Sequence, residues 1–299
     1  MTGRLVRLAD GRRLGYAEYG DPRGWPLFFF HGTPGSRVMA GFAASQAQAW
    51  GIRLLAPERP GYGLSDPQPR RCLLDWPEDV RQLADVLELE GFGVVGVSGG
   101  GPYAAACAWR LPERIQVAGI VSGLAPPDVL EQALLWPQRL LAPLLRRSGL
   151  TQPFLTLVAT ALRRQPQRFL TALLPLVPKP DRAVLSRPEV RQLQIDGIIQ
   201  ACRQGTQATA QDLALFSRPW GFPLAEIAVP VHLWHGVQDR VVPVAMGRYL
   251  AAHIPGCQGH FLREAGHLWI FEGYKEVMQT LRRFRPAVGP SRLQTGGNS

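Results

Sequence analysis

No apolar run in this 299-residue chain approaches the ~20 residues needed to cross a bilayer, because Pro, Arg or Gln interrupts each one. Met1 to Asp10 lacks the apolar core of a secretory signal. Stable membrane insertion is therefore not expected, and a cytoplasmic location is the default expectation. Cysteine is sparse. Cys72, Cys107, Cys202 and Cys257 lie far apart and form no C-x-x-C, which excludes a zinc ribbon or a vicinal redox pair. Cys107 falls on an apolar helical run and reads as packing. Lysine is nearly absent, since all of the 33 basic residues except Lys179 and Lys275 are arginine. The net charge of +10 raises the question of nucleic acid. The arginines, however, are scattered as pairs such as Arg12-Arg13, Arg163-Arg164 and Arg282-Arg283, with no basic stripe alternating with aromatics. That pattern argues against a nucleic-acid partner.

What remains is a globular composition, 46% hydrophobic and 19% charged. Short strands are expected at Leu5 to Leu8 and Arg13 to Tyr19, around an Asp10-Gly11 turn. Largely apolar runs at Pro26 to Phe30 and Ile52 to Ala56 read as buried parallel strands, and Gly93 to Val97 and Ile115 to Val121 read as further strands. Helical spacing covers Pro77 to Leu89, with Asp75 as its cap and Gly91 as its stop, and then Pro102 to Arg110. This alternation predicts an α/β fold with a largely parallel sheet. From Ala125 to Ser217 the pattern changes to short Leu-rich helices between prolines. Strands resume at Val229 to Trp234 and Gly259 to Leu262, with helices at Pro243 to Ala252 and Trp269 to Phe284. The expected plan is an α/β core of residues 1–124 and 219–299, interrupted by a helical cap over 125–218. Residues 286–299 are expected to form a disordered tail.

Gly96-Val97-Ser98-Gly99-Gly100 lies between the Gly93 strand and the Pro102 helix. A serine in G-x-S-x-G can be pushed out of the sheet on a sharp turn that only glycine neighbours tolerate. A serine hydroxyl is a weak nucleophile, so it needs a base, an orienting acid and an oxyanion site. His267, in Glu264-Ala265-Gly266-His267, is the candidate base. Asp239, in the loop after the Val229 strand, is the candidate acid. Asp128, in the loop after the Ile115 strand, is its rival. Of the six histidines, His232, His253 and His260 read as non-catalytic, the last two without partners, and His235 as a residue that shapes the acid loop. The oxyanion donors are expected to be the N–H of Gly99 and that of Thr33, in His31-Gly32-Thr33-Pro34-Gly35, because Pro34 has none.

Taken in order, five segments resemble the α/β-hydrolase superfamily: the His31 loop, Arg59-Pro60-Gly61-Tyr62-Gly63-Leu64-Ser65-Asp66, the Ser98 turn, the Asp239 loop and Gly266-His267. The family usually has Asp ahead of the Arg-Pro-Gly segment, where this chain has Glu58. Ser98 to Ala108 is similar to bacterial esterase-like and aminopeptidase-like members. The resemblance implies a carboxylic ester hydrolase with a Ser98 acyl-enzyme, no metal or nucleotide cofactor, and a small-molecule ester as partner. It implies an aminopeptidase as the runner-up, provided that a cap acid (Asp128, Glu131, Asp181, Glu189, Asp196 or Asp212) holds a free amine. An interfacial lipase, carbon–carbon bond hydrolysis, perhydrolysis and a ligand-binding member with little turnover are further alternatives. Monomer and homodimer both remain open.

Overall fold

The computed structural model describes residues 3–129 and 148–286. Eight strands form one sheet: β1 (Arg4–Arg7), β2 (Arg13–Gly20), β3 (Trp25–Phe30), β4 (Ile52–Pro57), β5 (Phe92–Val97), β6 (Ile115–Val121), β7 (Val231–Gly236) and β8 (Gln258–Leu262). Their spatial order is β1-β2-β4-β3-β5-β6-β7-β8. The β1–β2 and β2–β4 pairs are antiparallel and all other pairs are parallel. The central strands are buried on both faces, which explains why β3 and β5 are apolar throughout and β6 is broken only by Gln116.

Helices cover both faces. One face carries α1 (Ala44–Ala49) and the C-terminal helix Ile270–Arg282. There Phe29, Ala47, Val117 and Leu281 share one apolar cluster. The other face carries α2 (Trp76–Val86), α3 (Gly101–Arg110) and the helix Val244–His253. Here Phe28, Val80, Leu83, Ala104 and Leu250 share the second cluster. In α2 the buried Trp76, Val80, Leu83 and Ala84 recur at helical spacing.

Between β6 and β7 the described chain contains no strand. It forms α4 (Ser148–Arg164), α5 (Pro166–Leu173), α6 (Lys179–Leu185), α7 (Pro188–Ala201) and α8 (Gln207–Phe216). The helices Val244–His253 and Ile270–Arg282 are then α9 and α10. The expected Leu134-Leu135, Leu140-Leu141 and Leu144-Leu145 runs, Glu131, and the expected tail beyond Pro286 fall outside the described residues.

Local expectations needed correction. Asp75 does not cap α2 with its side chain; its Oδ2 accepts the Cys72 N–H at 2.7 Å and so caps the preceding 3-10 turn. Helix α2 stops at Val86, well before Gly91, as Glu88 adopts a left-handed φ of 55°. Helix α1 has no counterpart among the expected elements: its Ala/Gln sequence carries little periodicity.

The strand order reverses between β3 and β5. After β3 the chain moves outward to β4, then returns on the other side as β5. Loops diverge at such a point and leave a crevice beyond the carboxyl ends of the strands. The His31 loop follows β3 and Ser98 follows β5, so both open onto that crevice.

Candidate active site

Ser98 sits at the end of β5 with a left-handed φ of 54°, an uncommon conformation for a residue with a side chain. The turn from β5 into α3 leaves no room beside it. A Cβ at Gly96 would lie 2.2 Å from the Gly100 carbonyl oxygen, and a Cβ at Gly100 would lie 2.2 Å from that of Phe30. Both glycines are thus required by close backbone approach. The strain is held in place by α3, whose first eight residues are all buried.

His267 follows β8, in the 3-10 turn His267–Trp269 that leads into α10. Its Nε2 lies 3.0 Å from Ser98 Oγ and its Nδ1 lies 2.8 Å from Asp239 Oδ2. Asp239 sits in the loop after β7, and its Oδ1 accepts the N–H groups of Val241 and Val242, each at 2.8 Å. Its buried carboxylate can only accept, so Nδ1 of His267 carries the proton and the Nε2 lone pair faces the serine hydroxyl.

Burial opposes ionisation of Asp239. The neighbouring His267, bonds from the two histidines and the Val242 N–H outweigh it, and hold the carboxyl well below its usual range. Burial likewise disfavours the His267 cation, but the Asp239 charge and hydrogen bond raise its pKa above the ordinary value. The structure thus brings Ser98, His267 and Asp239 into one hydrogen-bonded chain. Asp128 is exposed and forms no part of it.

His235 is buried behind the acid loop, with Nε2 2.8 Å from the Val242 carbonyl and 3.5 Å from Asp239 Oδ2. This fits its expected shaping role. His253 and His260 do have partners, contrary to expectation. His253 Nδ1 lies 2.8 Å from the Tyr249 carbonyl oxygen, and His260 stacks on Trp234 and His232.

The His31 loop packs against the serine turn. A Cβ at Gly32 would lie 3.5 Å from Ser98 Cβ, and one at Gly99 would lie 2.4 Å from Thr33 Oγ1. Among the described residues the Thr33 N–H donates to no protein acceptor. Ser98, Thr33 and His267 open into a cavity of about 210 Å³ walled by Phe29, Met39, Phe42, Val97 and Phe271. Gln194 of α7 is the only polar side chain that the helical insertion gives to this described lining.

The chain that carries these parts matches a known family. A model of the α/β-hydrolase fold matches residues 26–274. The chain belongs to the α/β-hydrolase family. Among curated proteins, this α/β hydrolase is 25% identical to the uncharacterized hydrolase YcgS of Bacillus subtilis, over 92% of this chain and 95% of the relative. It is 29% identical to a non-heme chloroperoxidase of Streptomyces lividans, over 80% and 83%. Among solved structures, a thermophilic esterase of Thermogutta terrifontis superposes with a TM-score of 0.68 at 22% identity, covering 95% of this chain and 98% of that one.

Two acids of the insertion do work that sequence reasoning missed. Asp181 of α6 accepts the Leu268 N–H at 2.7 Å and so braces the turn that carries His267. Asp212 of α8 is fully buried and bonds Arg59, Arg71, Tyr62, Tyr103 and Thr33. A signal existed for Asp212: it is the only charged residue in the helix Gln207–Phe216. Glu58, which replaces the family's Asp, is buried, pairs with Arg37 at 2.9 Å and accepts the Leu64 N–H.

Proposed function

We propose that this α/β hydrolase cleaves carboxylic esters of short to medium acyl chain through an acyl-enzyme on Ser98. The observation that carries the reading is the Ser98–His267–Asp239 hydrogen-bonded chain opening into a small apolar cavity. Ser98 Oγ attacks the ester carbonyl carbon as its proton passes to His267 Nε2, and the carbonyl electron pair moves onto oxygen. The N–H groups of Thr33 and Gly99 are the assigned donors to that oxyanion. The electron pair then returns to re-form the carbonyl, the C–O bond to the alcohol breaks, and His267 gives the alcohol its proton. Water, deprotonated by the same imidazole, attacks the acyl carbon and releases the carboxylic acid and free Ser98. Asp239 orients the imidazole and stabilises its cation throughout. None of these steps calls on a metal or organic cofactor.

The apolar walls of the described cavity, about 210 Å³, suit an apolar acyl group of short or medium length. The esterase reading is also that of the structural neighbour from Thermogutta. The aminopeptidase alternative finds less support. No carboxylate contributes to the described cavity lining, and Asp212 is fully engaged by its own cations.

The test is a panel of p-nitrophenyl esters from acetate to palmitate, run beside amino-acid p-nitroanilides. Hydrolysis should be fastest with short or medium esters, and Ser98→Ala should lower it by about 10⁴-fold or more. Undiminished turnover in that variant would remove the mechanism.

A further inference from the structure

The insertion does more than give Gln194 to the cavity lining. Its Asp212 carboxylate is plugged into the core directly behind the His31 loop. Oδ2 accepts Arg59 Nε at 3.0 Å, Tyr62 OH at 2.9 Å and the Thr33 hydroxyl at 3.0 Å. Oδ1 accepts Tyr103 OH at 2.6 Å and Arg71. Arg59, held this way, turns its other nitrogens onto the loop. Nη1 donates to the His31 carbonyl at 2.6 Å, and Nη2 donates to the Gly32 carbonyl at 3.0 Å and to Thr33 Oγ1 at 2.8 Å.

The Gly32 carbonyl also accepts His31 Nδ1–H at 2.8 Å; His31 Nε2 takes the Arg59 N–H at 3.4 Å, which fixes that tautomer. Gly32 C=O and Thr33 N–H belong to one peptide group. Two donors on its oxygen, one of them a buried cation, fix the peptide plane and make its N–H a stronger donor. One carboxylate faces two guanidinium groups here, so the buried cluster keeps a surplus positive charge behind the loop.

We propose that Asp212 is a positioning residue for the oxyanion site: through Arg59 and Thr33 it sets the plane and donor strength of the Gly32–Thr33 peptide, making transition-state stabilisation depend on the docked helical insertion. The inference rests on the Ser98 reading above. It differs from a merely structural role of Asp212, which would change how much protein folds and leave the folded fraction's chemistry intact.

Asp212→Asn strands two buried cations, so this variant is judged only on protein that retains the wild-type circular-dichroism spectrum and a cooperative melt. Thr33→Val supplies the independent test, because it removes the hydroxyl bridge and keeps both the N–H and every charge. Thr33→Ser is the conservative rescue. Each enzyme is assayed for kcat and KM on p-nitrophenyl butyrate and for inhibition by a small alkyl boronic acid, which adds to a serine oxygen as a tetrahedral anion.

Thr33→Val and folded Asp212→Asn should lose about 10- to 100-fold in kcat and a similar factor in boronate affinity, with KM changed less than about threefold. Thr33→Ser should return close to wild type. Thr33→Val with wild-type kcat and boronate affinity would overturn the proposal, as would a loss that appears in KM alone. Wild-type enzyme that fails to bind the boronate, or Ser98→Ala that still binds it equally well, would overturn the Ser98 reading and this inference with it.

Discussion

Asp239 and His267 illustrate how a single residue's environment sets its chemistry. In the proposed mechanism His267 must be neutral at Nε2 to take the Ser98 proton, so activity should rise as pH rises through its pKa. Burial alone would lower that pKa, but Asp239 raises it. The acid limb of the kcat/KM profile should therefore lie above the ordinary imidazole value of ~6.5. Asp239→Asn removes the carboxylate charge and leaves burial opposed only by the Asp181 charge. The limb should then move to lower pH while the plateau falls by about 10⁴-fold. A pH–rate profile from pH 4 to 9 measures both effects, and an unmoved limb in Asp239→Asn would show that this pairing does not set the base. Asp128→Asn, run beside it, should match wild type. The sequence left these two acids as rivals, because both follow strands at the same end of the sheet. Only the three-dimensional course of the loops separates them.

At the scale of elements, the β5–turn–α3 unit aims the serine. Its left-handed Ser98 is tolerated because α3 is locked into the core and two glycines let the backbone close. Gly96→Ala would place a Cβ 2.2 Å from a backbone oxygen, which cannot swing aside as a side chain could. The expected result is a loss of about 1–3 kcal/mol of stability together with a fall in kcat as Ser98 is re-aimed. Thermal melts and ester assays on the same preparation check both, and a variant matching wild type in each would contradict the packing argument. The core elements were legible because buried parallel strands and the glycine-punctuated turn leave direct marks: continuous apolar runs and G-x-S-x-G. Helix α1 and the true end of α2 left none. The former has a nearly featureless Ala/Gln sequence, and the latter ends on a left-handed Glu88 where Gly91 looked like the stop.

At the scale of the whole molecule, the parts of the candidate active site come from both ends of the chain and from its middle. The sheet supplies Ser98, Asp239 and His267 from three strand ends. The described part of the insertion returns to the core at two carboxylates, Asp181 under the His267 turn and Asp212 behind the His31 loop. The catalytic candidates were legible as ordered motifs, since each needs a particular residue type beside a turn. The two carboxylates were not, because their meaning lies in partners more than a hundred residues away for Asp212 and nearly ninety for Asp181. Neither distance leaves a local pattern. A covalent acyl group on Ser98 is the central claim. Its most direct measurement is intact-protein mass spectrometry after an acid quench of p-nitrophenyl butyrate turnover, followed by peptide mapping. Wild-type enzyme should gain the mass of one butyryl group, mapped to the peptide bearing Ser98, and Ser98→Ala should gain none. Turnover without any such adduct in wild type, or the same adduct in Ser98→Ala, would contradict the mechanism.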